Sequence, residues 1–158
     1  MNTDGITFDA SELPEATTEA VAARPVLTHI WINVRDIMDV TATIYDNAAG
    51  RALVEHLRAE GPLALEVENY NQMERFGQLP WRLPEENETL HTAPGDITLY
   101  QGNQLAFYYA ANSWSLTPIG QLDNIGVAIV PKILLSERDD VVTLTLRLLE
   151  PEELLQLR

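Results

Sequence analysis

Three kinds of side chain in this 158-residue sequence could do chemistry: clustered carboxylates, two mid-chain arginines and a crowd of aromatic rings. Glu66, Glu68 and Glu74 lie close enough along the chain to serve as a general acid and base. Glutamates on the exposed face of a strand give the same spacing. Arg75 and Arg82 could steady a developing negative charge, or pair with those glutamates at the surface. Tyr70, Met73, Phe76, Trp81, Tyr100, Tyr108 and Trp114 are more large side chains than a small core readily holds. Some of them belong on a groove, where Tyr and Trp join contact area to a polar handle. Trp81 and Trp114, in irregular segments flanked by polar residues or proline, read equally as groove or core. Phe107 and one of Tyr100 or Tyr108 read as core.

Other chemistries find little support. His29, His56 and His91 are far apart and lack the H-x-H or H-E-x-x-H spacing of a metal site. Asp139-Asp140 reads as a turn rather than a calcium loop. Ser113 and Ser115 have no nucleophile-elbow context, and Gly102 and Gly120 make no phosphate-binding pattern. No cofactor or metal is expected.

Composition narrows the partners. With 24 acidic residues against 10 basic, the formal net charge is −14. Such a surface repels phosphate backbones and anionic lipid, so neither nucleic acid nor membrane is an expected partner. The start of the sequence has no basic region followed by an apolar run, unlike a secretory signal. The absence of cysteine excludes disulfides and thiolate chemistry. A cytoplasmic protein is the default expectation.

These residues need a scaffold, and its clearest part is GDITLYQGNQLAFYY, from Gly95 to Tyr109. Ile97 and Leu99 alternate with Thr98 and Tyr100 at period two. Gln101-Gly102-Asn103 makes a short loop whose glycine can take positive φ. Leu105, Phe107 and Tyr109 then point one way and Gln104, Ala106 and Tyr108 the other. Large side chains on both faces predict a hairpin covered on both sides, as in a small closed barrel.

The other elements follow in chain order. Residues 1–25 carry Asp4, Asp9, Glu12, Glu15 and Glu19 against Arg24 and read as a disordered acidic tail. An Ala-rich helix over Glu15–Ala23 is the alternative. Ile30, Ile32 and Val34 mark a first strand, and Val40, Ala42 and Ile44 a second. Asp46-Asn47 caps a helix over Ala48–Glu60, stopped by Gly61-Pro62. Leu63, Leu65 and Val67 form the next strand. Asn69 to Glu88 shows no sustained periodicity, and Glu85–Glu88 reads as a solvated loop. Ala110–Ser115 reads as a loop holding Trp114, and Leu116–Leu122, with Pro118, as an edge strand. Gly126–Leu135 reads as strand or helix. Val141, Thr143 and Thr145 make a closing strand after Arg138-Asp139-Asp140, and residues 151–158 form a short tail. The expected architecture is mainly β: a closed barrel of about eight strands with one or two helices over residues 26–150.

The order and spacing of several segments carry a resemblance. They are Asn69-Tyr70-Asn71 with Glu74-Arg75, Leu79-Pro80 with Leu83, Gly95-Asp96-Ile97 with Tyr100, Asn103 to Tyr108, and Pro118-Ile119-Gly120. In this the chain resembles the bacterial cyclophilin-like domain family over roughly Leu27 to Leu122. The resemblance implies a compact eight-stranded barrel shaped like cyclophilin. The chain departs from the family's pattern where Trp81, followed by Arg82, replaces a basic residue after Leu-Pro. It departs again where Trp114 replaces an arginine and Gln121 an arginine. A groove that is basic in relatives is here more aromatic.

The resemblance also implies a candidate reaction, prolyl cis–trans isomerisation. Rotation about the amide faces a barrier of roughly 18–20 kcal/mol. Its catalyst needs an apolar pocket and a donor that favours the twisted amide. Arg82 or Arg75 would be that donor, with Phe76, Trp81, Phe107 and Trp114 as walls, although no Phe-His-Arg motif is present. Three readings result. The first is non-covalent binding of a peptide or small molecule in a groove of Tyr70, Met73, Glu74, Phe76, Trp81, Tyr100, Phe107, Tyr108 and Trp114. The second is a peptidyl-prolyl isomerase. The third is an assembly module that uses the same surface in a homodimer.

Overall fold

The computed structural model describes residues 24–123, 129–134 and 140–156. The acidic segment before Arg24 and the Arg138-Asp139 turn lie outside them. Nine strands and three helices are described. They are β1 (Val26–Val34), β2 (Met38–Tyr45), α1 (Ala48–Glu60), β3 (Leu63–Tyr70), β4 (Glu74–Gln78), β5 (Glu88–Thr92), β6 (Asp96–Tyr100), β7 (Gln104–Tyr108), β8 (Asn112–Leu122), α2 (Val130–Leu134), β9 (Val141–Leu148) and α3 (Pro151–Gln156).

Eight of the strands close an antiparallel barrel in the order β2-β1-β9-β3-β4-β7-β6-β8, sealed by β8 against β2. The ninth, β5, pairs only with the first half of β8. The expected barrel is therefore present, with one strand and one helix more than the sequence suggests. No helix among the described residues is long and apolar enough to cross a membrane.

Period-two alternation builds the interior. Ile30, Ile32 and Val34 of β1, Ala42 and Ile44 of β2, and Leu144 and Leu146 of β9 all point into one buried core. Helix α1 adds Ala49, Leu53, Val54 and Leu57 to it. The helix starts where the sequence places it, with the Asn47 side chain accepting from the Gly50 amide at 2.7 Å, and Gly61 ends it at φ 85°. The β6–β7 hairpin is covered on both faces. Leu105, Phe107 and Tyr109 join the barrel core, while Ala106 and Tyr108 join Leu116 in a second, smaller cluster outside it.

Four sequence expectations are corrected. The stretch after Asn69 is a β3–β4 hairpin. Its turn residues Asn71 and Gln72 take φ of 54° and 53°, a left-handed pair that sequence readings seek in Asn-Gly. Glu88 opens β5 rather than ending a loop. Trp114 sits on β8, opposite Leu90, instead of in a loop. Pro118 lies in a strand paired on both sides rather than at an edge. A register shift between Ile97 and Thr98 tolerates its missing amide. Where strand and helix stood open, Val130–Leu134 is helical.

Candidate functional site

Outside the barrel wall formed by β4, β7, β6 and β8 lies a cavity of about 410 Å³. Its lining is Tyr70, Asn71, Met73, Glu74, Phe76, Tyr100, Gln104, Tyr108, Asn112, Trp114 and Leu116. Strand alternation places these side chains. On β4, Arg75 and Gly77 face inward and leave Glu74 and Phe76 outside. On β7, Leu105 and Phe107 face inward and leave Gln104 and Tyr108 outside. Glu74 stands opposite both Tyr70 of β3 and Tyr108 of β7 in the strand register. The Tyr70 and Phe76 rings meet edge to face, with centroids 6.0 Å apart and planes at 86°. Tyr70 and Trp114 are more than half exposed at the rim.

Seven of the residues singled out in the sequence thus converge: Tyr70, Met73, Glu74, Phe76, Tyr100, Tyr108 and Trp114. Four others lie elsewhere. Phe107 is 1% exposed within the barrel core. Trp81 lies flat on His56 of α1, with centroids 4.2 Å apart. Arg75 is buried, donating from Nε to the Leu134 carbonyl at 2.5 Å and from Nη1 to the carbonyls of Val67 and Asp140 at 3.2 and 2.7 Å. Arg82 is exposed, with Nη2 donating to the Gln101 carbonyl at 3.0 Å and forming an ion pair with Glu85 at 3.7 Å. Neither arginine lines the groove.

The sequence profile of the cyclophilin-like family matches residues 32–147. The chain belongs to the cyclophilin-like family. Solved structures share its shape, among them the following two. A hypothetical protein from Archaeoglobus fulgidus, determined in solution, superposes with a TM-score of 0.57 at 12% identity over 80% of this chain and 98% of that one. McbB in complex with tryptophan superposes with a TM-score of 0.54 at 15% identity. That match covers 75% of this chain and 44% of the McbB chain. At such identities the likeness is one of fold. No curated protein matches the sequence.

In this cyclophilin-like domain the groove's chemistry centres on Glu74. Burial pushes its carboxyl above the usual carboxylate range, and the nearby Tyr108 hydroxyl offsets part of that shift by favouring the charged form. Tyr108 itself is pushed up to about 12, mainly by burial, so it stays a neutral phenol at ordinary pH. The Asn112 amide donates to its oxygen at 3.4 Å. The arrangement offers one carboxylate, three side-chain amides and five ring systems, and can orient a bound molecule.

Asn71, Gln104, Asn112 and Leu116 are lining residues that sequence reasoning passed over. Gln104 was within reach, because the alternation that turns Tyr108 outward turns Gln104 the same way. The three histidines stay apart. His29 Nδ1 lies 3.0 Å from Asp123, whose other oxygen accepts from Thr43 at 2.5 Å. His91 meets Ser113 at 2.8 Å, and His56 meets Glu60 at 3.3 Å. Among the described residues, no group of three His, Asp or Glu side chains converges as a metal site.

Proposed function

We propose that this cyclophilin-like domain binds a small molecule or peptide segment non-covalently in the groove between Tyr70 and Trp114. The observation that carries this reading is the convergence of five aromatic side chains and Glu74 around one cavity of about 410 Å³. That size falls within the ordinary range of ligand pockets. The partly exposed rim supplies contact area that the barrel core does not require. The same observation weakens the isomerase alternative. Arg75 and Arg82, proposed as donors to a twisted amide, are held by backbone carbonyls away from the groove. The net charge of −14 continues to favour partners other than nucleic acid or anionic membrane.

Titration of isotope-labelled protein with fragment and proline-peptide libraries tests this reading. Amide shifts clustered around Tyr100, Tyr108 and Trp114 support it, and faster cis–trans exchange of bound peptides would add the isomerase. Shifts confined to other surfaces would overturn it. The exposure of Trp114 (58%) and Tyr70 (54%) favours a second reading, in which another copy of the chain covers the rim. Sedimentation that shows a monomer at every accessible concentration would remove that one.

A further inference from the structure

The groove is selective in charge. Glu74 is the one carboxyl among its lining residues, and no lysine, arginine or histidine is among them. An anionic ligand would meet a like charge at close range. A neutral apolar ligand that fills the cavity would strip water from Glu74 without replacing its hydrogen bonds. A cation meets both features at once: the carboxylate opposes its charge, and ring faces attract it through their quadrupoles.

The type of cation follows from the walls. Tyr70 and Phe76 stand perpendicular, 6.0 Å apart between centroids, and form an edge-to-face corner in the groove lining. Tyr100 and Trp114 extend the aromatic lining. Ring faces attract a cation's charge but take up few of its N–H groups, of which a primary ammonium has three and a guanidinium five. An alkylated ammonium carries its charge on methyl surfaces and has few or no N–H groups to satisfy.

We propose that the groove recognises an organic cation, an alkylated ammonium held by Glu74 as counter-ion between the Tyr70–Phe76 corner and the rings of Tyr100 and Trp114. This rests on the reading of the groove as a ligand site. It goes further by stating what the ligand must carry. The acidic surface would gather such cations by long-range attraction. The head group can come from a free small amine or from a methylated lysine on a peptide, and the chemistry is common to both.

The test uses the full-length labelled protein and four probes. These are choline, its uncharged carbon isostere 3,3-dimethylbutan-1-ol, and one lysine peptide with and without trimethylation. Choline is expected to bind at least tenfold more tightly than the isostere, with shifts near Tyr100 and Trp114. Glu74→Gln, which keeps the side chain's shape, should erase that preference. Trp114→Ala, at an exposed position, should weaken choline binding without unfolding the protein. A trimethylated peptide that binds tenfold better than choline would assign the source to protein, and the reverse to a free amine. Equal binding of choline and its isostere would overturn the cation while leaving the groove as a binding site. Failure of all four probes also overturns it. A fragment screen then separates the two claims, because silence there as well would end the groove reading itself.

Discussion

The Trp81 ring lies parallel to the His56 imidazole of α1, 4.2 Å away and tilted by 6°. Trp81, which the sequence left open between groove and core, therefore ties the irregular segment after β4 to the helix, packed against the barrel core. Trp81→Ala should cost about 2–4 kcal/mol in urea denaturation and leave groove binding unchanged once folded. Trp114→Ala should do the opposite, with a stability change within about 0.5 kcal/mol and a clear loss of affinity.

The two arginines should separate just as sharply. Arg75 has its guanidinium among backbone carbonyls inside the barrel. Arg75→Ala leaves buried acceptors without donors and should cost about 3 kcal/mol or more. The exposed Arg82 should tolerate alanine within about 0.5 kcal/mol. Denaturant midpoints measured side by side check both.

Glu74 sets stability against binding. Burial raises its carboxyl, so the folded state holds that proton more tightly than the unfolded chain does. Keeping it ionised costs stability near neutral pH. That cost eases as pH falls through the raised value and is gone below the pKa of an unfolded glutamate. Glu74→Gln should therefore stabilise the free protein at neutral pH and do nothing below that range, while it lowers affinity for an alkylated ammonium at least tenfold. Wild-type affinity should fall on acidification through the same interval. The titratable groups facing Glu74 are Tyr70 on β3 and Tyr108 on β7, and burial pushes Tyr108 up to about 12, out of this interval. Melting and binding curves across pH 4–8 check the opposed signs.

Barrel closure should be sensitive to a single methyl group. A Cβ on Gly120 would fall 1.9 Å from the Thr43 carbonyl oxygen, where β8 meets β2. Gly120→Ala must push those strands apart, at about 1–3 kcal/mol or more. Amide exchange should quicken first at Ala42 and Ile44.

Much of this molecule was legible because its elements announce themselves locally. Asn47 and Gly61 bound α1, and Ile97 to Tyr109 alternate cleanly. The illegible parts depend on partners far away in the chain. β4 hides because it turns Arg75 inward, a polar residue satisfied by carbonyls near residues 67, 134 and 140. Its turn hides because Asn71-Gln72 adopts a left-handed pair without glycine. Pro118 argued for an edge, and only the register of β6 shows how the barrel accommodates it. At the site, the sequence shows an excess of rings but not which of them a helix claims. His56 removes Trp81, whereas Phe107 lies in the core, as its phase along β7 indicates.

The position of β9 bears on how the chain reaches this shape. Val141–Leu148 slots between β1 and β3, both from the first half of the sequence. During synthesis those two strands emerge early and wait, each with an open edge, for a partner made more than seventy residues after β3. Domains dominated by such distant pairings fold slowly, and unpaired edges invite association with other chains. The nascent chain thus has a window of vulnerability that ends only when β9 arrives, so truncation just before Val141 should yield aggregates rather than a smaller barrel.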